Sequence, residues 1–125
     1  MKRAFYLFVF GAVLAAVFLF QNRIDNTYLK IDQAIGSGEV ESLASYFAPQ
    51  MELYFNNSQN TCSKTQAAHV IEKFFEQHKP LQYTSSRNRN YFFGEMKTSE
   101  GESYKVDYTL KTVNNQPVIT GFYVY

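Results

Sequence analysis

Between Tyr28 and Tyr125 the apolar positions recur first with the spacing of helices and then, after Pro80, with the alternation of strands. Tyr28, Ile31 and Ile35 share one helical face, joined by Ile24 if the helix begins early. They predict a first helix over about 27–35, ended by Gly36-Ser37-Gly38. Val40, Leu43, Ala44 and Phe47 follow the i, i+3, i+4, i+7 pattern and predict a second helix over 39–47, with Pro49 as its stop. Met51, Leu53 and Phe55 alternate with Glu52 and Tyr54 as a half-buried strand, which Asn56-Asn57-Ser58 turns into a brief return strand near 59–62. Ser63-Lys64-Thr65-Gln66 is a capping box, in which the serine hydroxyl and the glutamine side chain satisfy each other's backbone amides. Behind it Ala67, Val70, Ile71, Phe74, Phe75 and His78 form the stripe of a third helix that Pro80 ends.

Four strands are predicted beyond: Leu81 to Ser85, Tyr91 to Thr98, Ser103 to Val113 and Val118 to Tyr125, separated by R-N-R-N, S-E-G-E and N-N-Q-P turns. In the third of these, Tyr104, Val106, Tyr108 and Leu110 oppose Lys105, Asp107, Thr109 and Lys111, so one face should meet the helices and the other water. The last strand is apolar on both faces. Its second face is expected to lie against a dimer partner or a cavity wall, or to carry half-exposed tyrosine rings. The order of elements is α+β: three helices against a curved antiparallel sheet that wraps one long helix as a cone and can enclose a pocket.

The first twenty residues stand apart from this domain. Lys2 and Arg3 precede Ala4 to Phe20, an uncharged apolar run of seventeen residues, which is the build of an export signal. Its length fits both a long signal core and a short membrane span, and no small-x-small cleavage site closes it. Residues 1–20 are therefore read as a signal peptide or membrane anchor through residues 4–20, 21–27 as a short tether, and 28–125 as the folded domain. The basic start keeps the N-terminus cytoplasmic and places the domain in the extracytoplasmic space.

Formal charge is +1, and without Lys2 and Arg3 it is −1, from 10 basic and 11 acidic residues. With no basic stripe, such balance argues against nucleic acid. Cys62, the sole cysteine, excludes an internal disulfide and reads as a half-buried filler. Two histidines without ligand spacing give no metal site, and no nucleotide, dinucleotide or hydrolase motif implies a cofactor. His69 falls on the solvated side of its helix; His78 ends the buried stripe, where it can serve the helix C-terminus. Asp32 and His78 are the weak candidates for acid/base work, with Glu95 and Asp107 further from any pocket. The aromatic excess, nine of ten Tyr and seven of twelve Phe lying beyond Gln21, points instead to binding. Tyr28, Tyr104, Tyr108 and Phe122 are the candidate ligand-binding residues, for a small apolar ligand, with a homodimer through the sheet as the alternative partner.

Three stretches carry a resemblance. Ala34 to Phe47 (A-I-G-S-G-E-V-E-S-L-A-S-Y-F), Cys62 to Phe75 (C-S-K-T-Q-A-A-H-V-I-E-K-F-F) and Phe93 to Val106 (F-G-E-M-K-T-S-E-G-E-S-Y-K-V) resemble a family of small exported bacterial proteins of unknown function. That family has the nuclear transport factor 2-like, or cystatin-like, cone fold. The similarity spans nearly all of Ile31 to Val124; its most specific part is S-K-x-Q-A with Phe-Phe eight residues after the glutamine. It implies export and the cone, and no particular activity. Isomerase-like members of the wider superfamily carry a tyrosine on helix one and an aspartate on the first strand. Ile31 and Phe55 fall at those places here, and the usual histidine of the strand after helix three falls at Ser85 or Ser86.

Overall fold

A computed structural model describes residues 26–125. The segment read as signal or anchor lies outside the described residues. Among those described, no helix is long and apolar enough to cross a membrane. Helix α1 covers 26–37 and buries Ile31, Ala34 and Ile35. It closes at Gly38, whose φ of 71° a side chain would resist, and the Glu39 amide turns back to the Ala34 carbonyl at 3.0 Å. Helix α2 is only Val40–Ala44, shorter than its periodicity predicts. The chain then enters strand β1, Phe47–Phe55, four residues ahead of the expected start at Met51. Long-range pairing decides this: the Ile119 amide donates to the Tyr46 carbonyl at 2.6 Å, and Phe47 sits opposite Ile119. Pro49 is tolerated because it falls where the register shifts, between Phe47 and Glu52.

Strand β2 (Ser58–Ser63) returns through Asn56 and Asn57, both at positive φ, the two-residue turn whose twist suits a hairpin. Asn114 and Asn115 repeat the device between β5 and β6. Helix α3, Lys64–Gln77, starts from the predicted capping box: the Ser63 Oγ accepts from the Gln66 amide at 3.2 Å, and Gln66 Oε1 accepts from the Ser63 amide at 3.0 Å. Ala67, Ile71, Phe74 and Phe75 are buried along it. Strands β3 (Pro80–Asn88), β4 (Tyr91–Thr98), β5 (Ser103–Val113) and β6 (Gln116–Val124) complete the chain order.

The sheet runs β2-β1-β6-β5-β4-β3. It is mixed, not wholly antiparallel as expected: β1 and β6 are parallel neighbours, so the last strand lies inside the sheet between β1 and β5. Shifts of register in β1, in β3 opposite β4, and between Thr109 and Leu110 bend it around α1 and α3. Gly94 serves the same curvature. A Cβ there would meet the Tyr83 ring at 2.8 Å, because that ring crosses the glycine so that its hydroxyl can donate to the Val106 carbonyl at 2.6 Å.

One core lies between the helices and the inner sheet face, with Met51, Leu53, Phe92, Met96, Val106, Tyr108, Ile119 and Phe122 buried on the strand side. The outer face departs from the simple alternation read from β5. Asp107, expected in water, is 0 % exposed, because Phe93 and Tyr123 flank it on the neighbouring strands and Tyr91 reaches over it. Cys62 is half-buried at the end of β2 and burial pushes its thiol up. Cys62→Ser should lower stability by no more than about 1–2 kcal/mol in thermal unfolding, the cost of a lost semi-buried filler.

Candidate functional site

The titratable candidates fall into two clusters at different places in the cone. Asp32 points from α1 to the sheet and is almost fully buried. Its Oδ1 accepts from the Tyr108 hydroxyl at 2.7 Å, and the Ser85 hydroxyl lies 2.9 Å from Oδ1 and 2.7 Å from Oδ2. The Ser85 amide donates to Oδ2 at 3.0 Å. Burial raises the carboxyl above its ordinary value, against the opposing pull of the Ser85 and Tyr108 hydrogen bonds. Around it the rings are stacked: Tyr28 on Phe92 with centroids 5.3 Å apart, and Phe92 on Tyr108 at 4.9 Å and nearly parallel. Ser85, one of the two positions matched with the superfamily histidine, thus does meet Asp32. It brings a hydroxyl and an amide instead of an imidazole. Every group that touches this carboxylate ties α1 to the sheet, and Ile31, at the place of the isomerase-like proteins' tyrosine, is core.

The second cluster sits where α3 ends. His78 is the C-cap residue, and its backbone amide donates to the Phe74 carbonyl at 2.9 Å. Its ring does not cap the helix, as the sequence suggested, but turns to the β4–β5 turn: Nδ1 is 3.0 Å from Glu102 Oε1 and 3.0 Å from the Tyr104 hydroxyl. Tyr104 donates to the other carboxylate oxygen of Glu102 at 3.0 Å. Those contacts with His78 and Tyr104 hold the Glu102 carboxyl below its ordinary value. Partial burial, then Glu102, push the Tyr104 hydroxyl up, so it stays a donor. With Nδ1 engaged by the carboxylate, Nε2 keeps only the Tyr104 hydroxyl, at 3.5 Å.

Next to this triad opens a cleft of about 300 Å³ lined by Phe55, Phe74, His78, Tyr104, Tyr125 and the Asn56-Asn57 turn, among others. Phe55 and Tyr104 both meet the Phe74 ring edge-on, at 5.5 and 5.1 Å. Of the ligand-binding candidates, Tyr104 lines this cleft. Tyr28 and Tyr108 belong to the Asp32 cluster, and Phe122 is packed in the core against Phe47. Phe55, at the place of the isomerase-like proteins' aspartate, is a cleft wall. Glu102, which orients His78 and Tyr104, was missed. Its turn position gives it no periodicity, and only the paired strands bring it to His78. Among the described residues no group of three or more His, Cys, Asp or Glu is arranged to hold a metal ion.

A curved sheet wrapped over three helices, with the inner face facing α1 and α3, is the architecture of nuclear transport factor 2-like proteins. The chain belongs to the family described as "Domain of unknown function (DUF4783)", whose model matches residues 28–123. A family member from Bacteroides ovatus is 21% identical, covers 76% of this chain and 90% of its own, and superposes with a TM-score of 0.68. One from Bacteroides fragilis is 17% identical over 76% of this chain and 93% of its own, with a TM-score of 0.70. A nuclear transport factor 2-like protein of unknown function from Shewanella oneidensis is 10% identical over 83% and 97%, with a TM-score of 0.61. At these identities the likeness is one of fold. No curated protein matches the chain.

Proposed function

We propose that the chain is a non-catalytic, extracytoplasmic binding module on the nuclear transport factor 2-like, or cystatin-like, cone, and that a small apolar aromatic ligand enters the cleft at the end of α3. The observation that carries this reading is the convergence of Phe55, Phe74, Tyr104 and Tyr125 with the hydrogen-bonding groups of His78 and Asn57 on one cleft of about 300 Å³. Aromatic walls beside fixed polar groups suit a ligand that carries a ring and a polar substituent. His78, oriented by Glu102, can donate to or accept from a polar substituent on it. Export rests on Lys2, Arg3 and the apolar run to Phe20, which also supplies a membrane anchor if it is retained.

The acid/base alternative has less support. Asp32 is held by three donors beneath a ring stack, where a reacting carbon has no approach to it. His78 keeps the geometry of a base but faces no second proton-transfer group besides its own tyrosine and glutamate.

A fluorescence titration of the purified full chain with 2-naphthol tests the reading. Saturable binding at about 0.1–1 mM is expected for so small a ligand. Tyr125→Ala, which removes an exposed wall, and Tyr104→Leu should each weaken it about fivefold or more, the equivalent of roughly 1 kcal/mol. Binding that ignores both substitutions would remove the cleft from the argument. Turnover of an enolisable steroid ketone above the buffer rate, lost in His78→Gln at unchanged thermal stability, would establish the enzyme instead.

A further inference from the structure

The face of the sheet turned away from the helices carries a second constellation, which shares Tyr125 with the cleft at the end of α3. At its centre is Asp107 on β5, 0 % exposed although its side chain leaves the core. Phe93 of β4 and Tyr123 of β6 lie directly across from it, and the Tyr91 hydroxyl donates to its Oδ2. Burial, and next the bond to Asp107, push that hydroxyl up, so Tyr91 remains a donor at any ordinary pH. Asp107 Oδ1 is also buried and has no hydrogen-bond partner. Native interiors rarely leave a carboxylate oxygen so, because desolvation without a donor is costly.

Lys105 shows what this place attracts. In the β4–β5 register it stands opposite Glu95. Its ammonium is turned instead to Asp107 Oδ2, 3.9 Å away, and over the Tyr125 ring, 4.9 Å from the centroid. The lysine side chain is 63% exposed, so it holds this position loosely from the rim. Around it Tyr91 lies 6.3 Å from Tyr123 and 6.4 Å from Phe93, ring to ring, and Phe93 and Tyr125 are 40% and 53% exposed.

We infer that this face is a binding site for an organic ammonium ion: the tyrosine and phenylalanine rings offer their negative faces, Asp107 offers the counter-charge and an unpaired acceptor, and the Lys105 ammonium is the internal occupant that a ligand displaces. Other chemistries fit less well. A neutral aromatic guest leaves Oδ1 without a donor. An anion meets Asp107, Glu95 and Glu52, the last of which accepts from the Tyr123 hydroxyl at 3.1 Å. A divalent metal needs several ligands on one centre, and among the described residues no three His, Cys, Asp or Glu are arranged to supply them. The unpaired oxygen also makes the site selective, since a primary ammonium brings N–H donors and a quaternary one brings none.

The test is an NMR titration of the purified full chain, following its tyrosine ring signals, with n-butylammonium, tetramethylammonium and the peptide acetyl-Gly-Lys-Gly-amide at constant ionic strength. Saturable shifts at Tyr91, Tyr123 and Tyr125 are expected. Lys105→Met should tighten n-butylammonium about tenfold by removing a tethered competitor. Asp107→Asn and Phe93→Leu should each weaken it by about as much, and Phe93→Leu, at an exposed position outside the cleft, keeps the test alive if Asp107→Asn does not fold. Tighter binding of the peptide assigns the ammonium to a lysine of a partner protein; equal binding assigns it to a free amine. No saturable shift in Lys105→Met would overturn the inference. So would indifference to both weakening substitutions, or tetramethylammonium bound as well as n-butylammonium. Sedimentation that shows a dimer dissolved by Lys105→Met would overturn it too, by handing the cage to a second copy of the chain.

Discussion

Phe74→Ala should lower the unfolding free energy by about 3–5 kcal/mol, the range for truncating a buried phenylalanine and leaving the space unfilled. Phe74 is almost fully buried on the inner stripe of α3. Its ring is the hub of the aromatic cluster, within 5.1–5.9 Å of the rings of Tyr104, His78, Phe55 and Phe75. Three elements, α3, β1 and β5, meet at that ring, so collapse around the cavity is hindered and the upper part of the range applies. For a domain of this size each kcal/mol moves the melting temperature by about 4–8 °C, so circular dichroism should show a drop of at least about 12 °C. A loss under about 1 kcal/mol would mean that α3 presents its stripe to something other than the sheet.

Asp32→Ala should cost roughly 3 kcal/mol for a different reason. The substitution creates little space but takes the partner from the part-buried Ser85 amide and hydroxyl and leaves the buried Tyr108 hydroxyl only the Tyr28 carbonyl at 3.3 Å, each loss costing about 1 kcal/mol. The pH dependence separates this from simple packing. Burial raises the folded-state pKa of Asp32 above the unfolded value of about 3.9, so the folded state binds the extra proton. Its contribution is complete below the unfolded pKa and diminishes as pH climbs through the raised folded one. The stability difference between the native chain and Asp32→Asn should therefore shrink as pH rises from about 4, in paired denaturant titrations. Glu102, whose pKa is lowered, has the opposite sign, and its exposure lets solvent screen the effect. A difference that stays flat with pH would show that folding leaves the proton affinity of Asp32 unchanged.

Local signals in the chain were legible and long-range ones were not. The Ser63 cap, the α3 stripe, the asparagine turns and the bounds of β4 and β5 all depend on neighbours a few residues apart, and the structure has them as read. The second helix was overextended because Val40, Leu43, Ala44 and Phe47 satisfy a helical spacing that the sheet then interrupts, through an amide seventy-three residues away at Ile119. Asp107 was assigned to water by a correct alternation; what the alternation lacks is the height of the rings on the two flanking strands. Asp32 and His78 were singled out as titratable residues beside apolar stripes. Their partners, Ser85, Tyr108, Glu102 and Tyr104, come from elements whose pairing order the sequence does not spell out. The parallel β1–β6 contact escaped for the same reason, since hairpin turns predict only antiparallel neighbours.

That contact sets a timetable for the molecule. With β6 between β1 and β5, the sheet consists of two hairpin-built halves, β1 with β2 and β3 through β5, which share no ladder until β6 arrives. Each half exposes an unpaired edge and an uncovered apolar face, and neither half alone surrounds α3. A growing polypeptide therefore cannot complete the native sheet until nearly the whole of residues 26–125 has been produced. Closure is then a late event that joins strands about seventy residues apart, the kind of non-local step that slows folding.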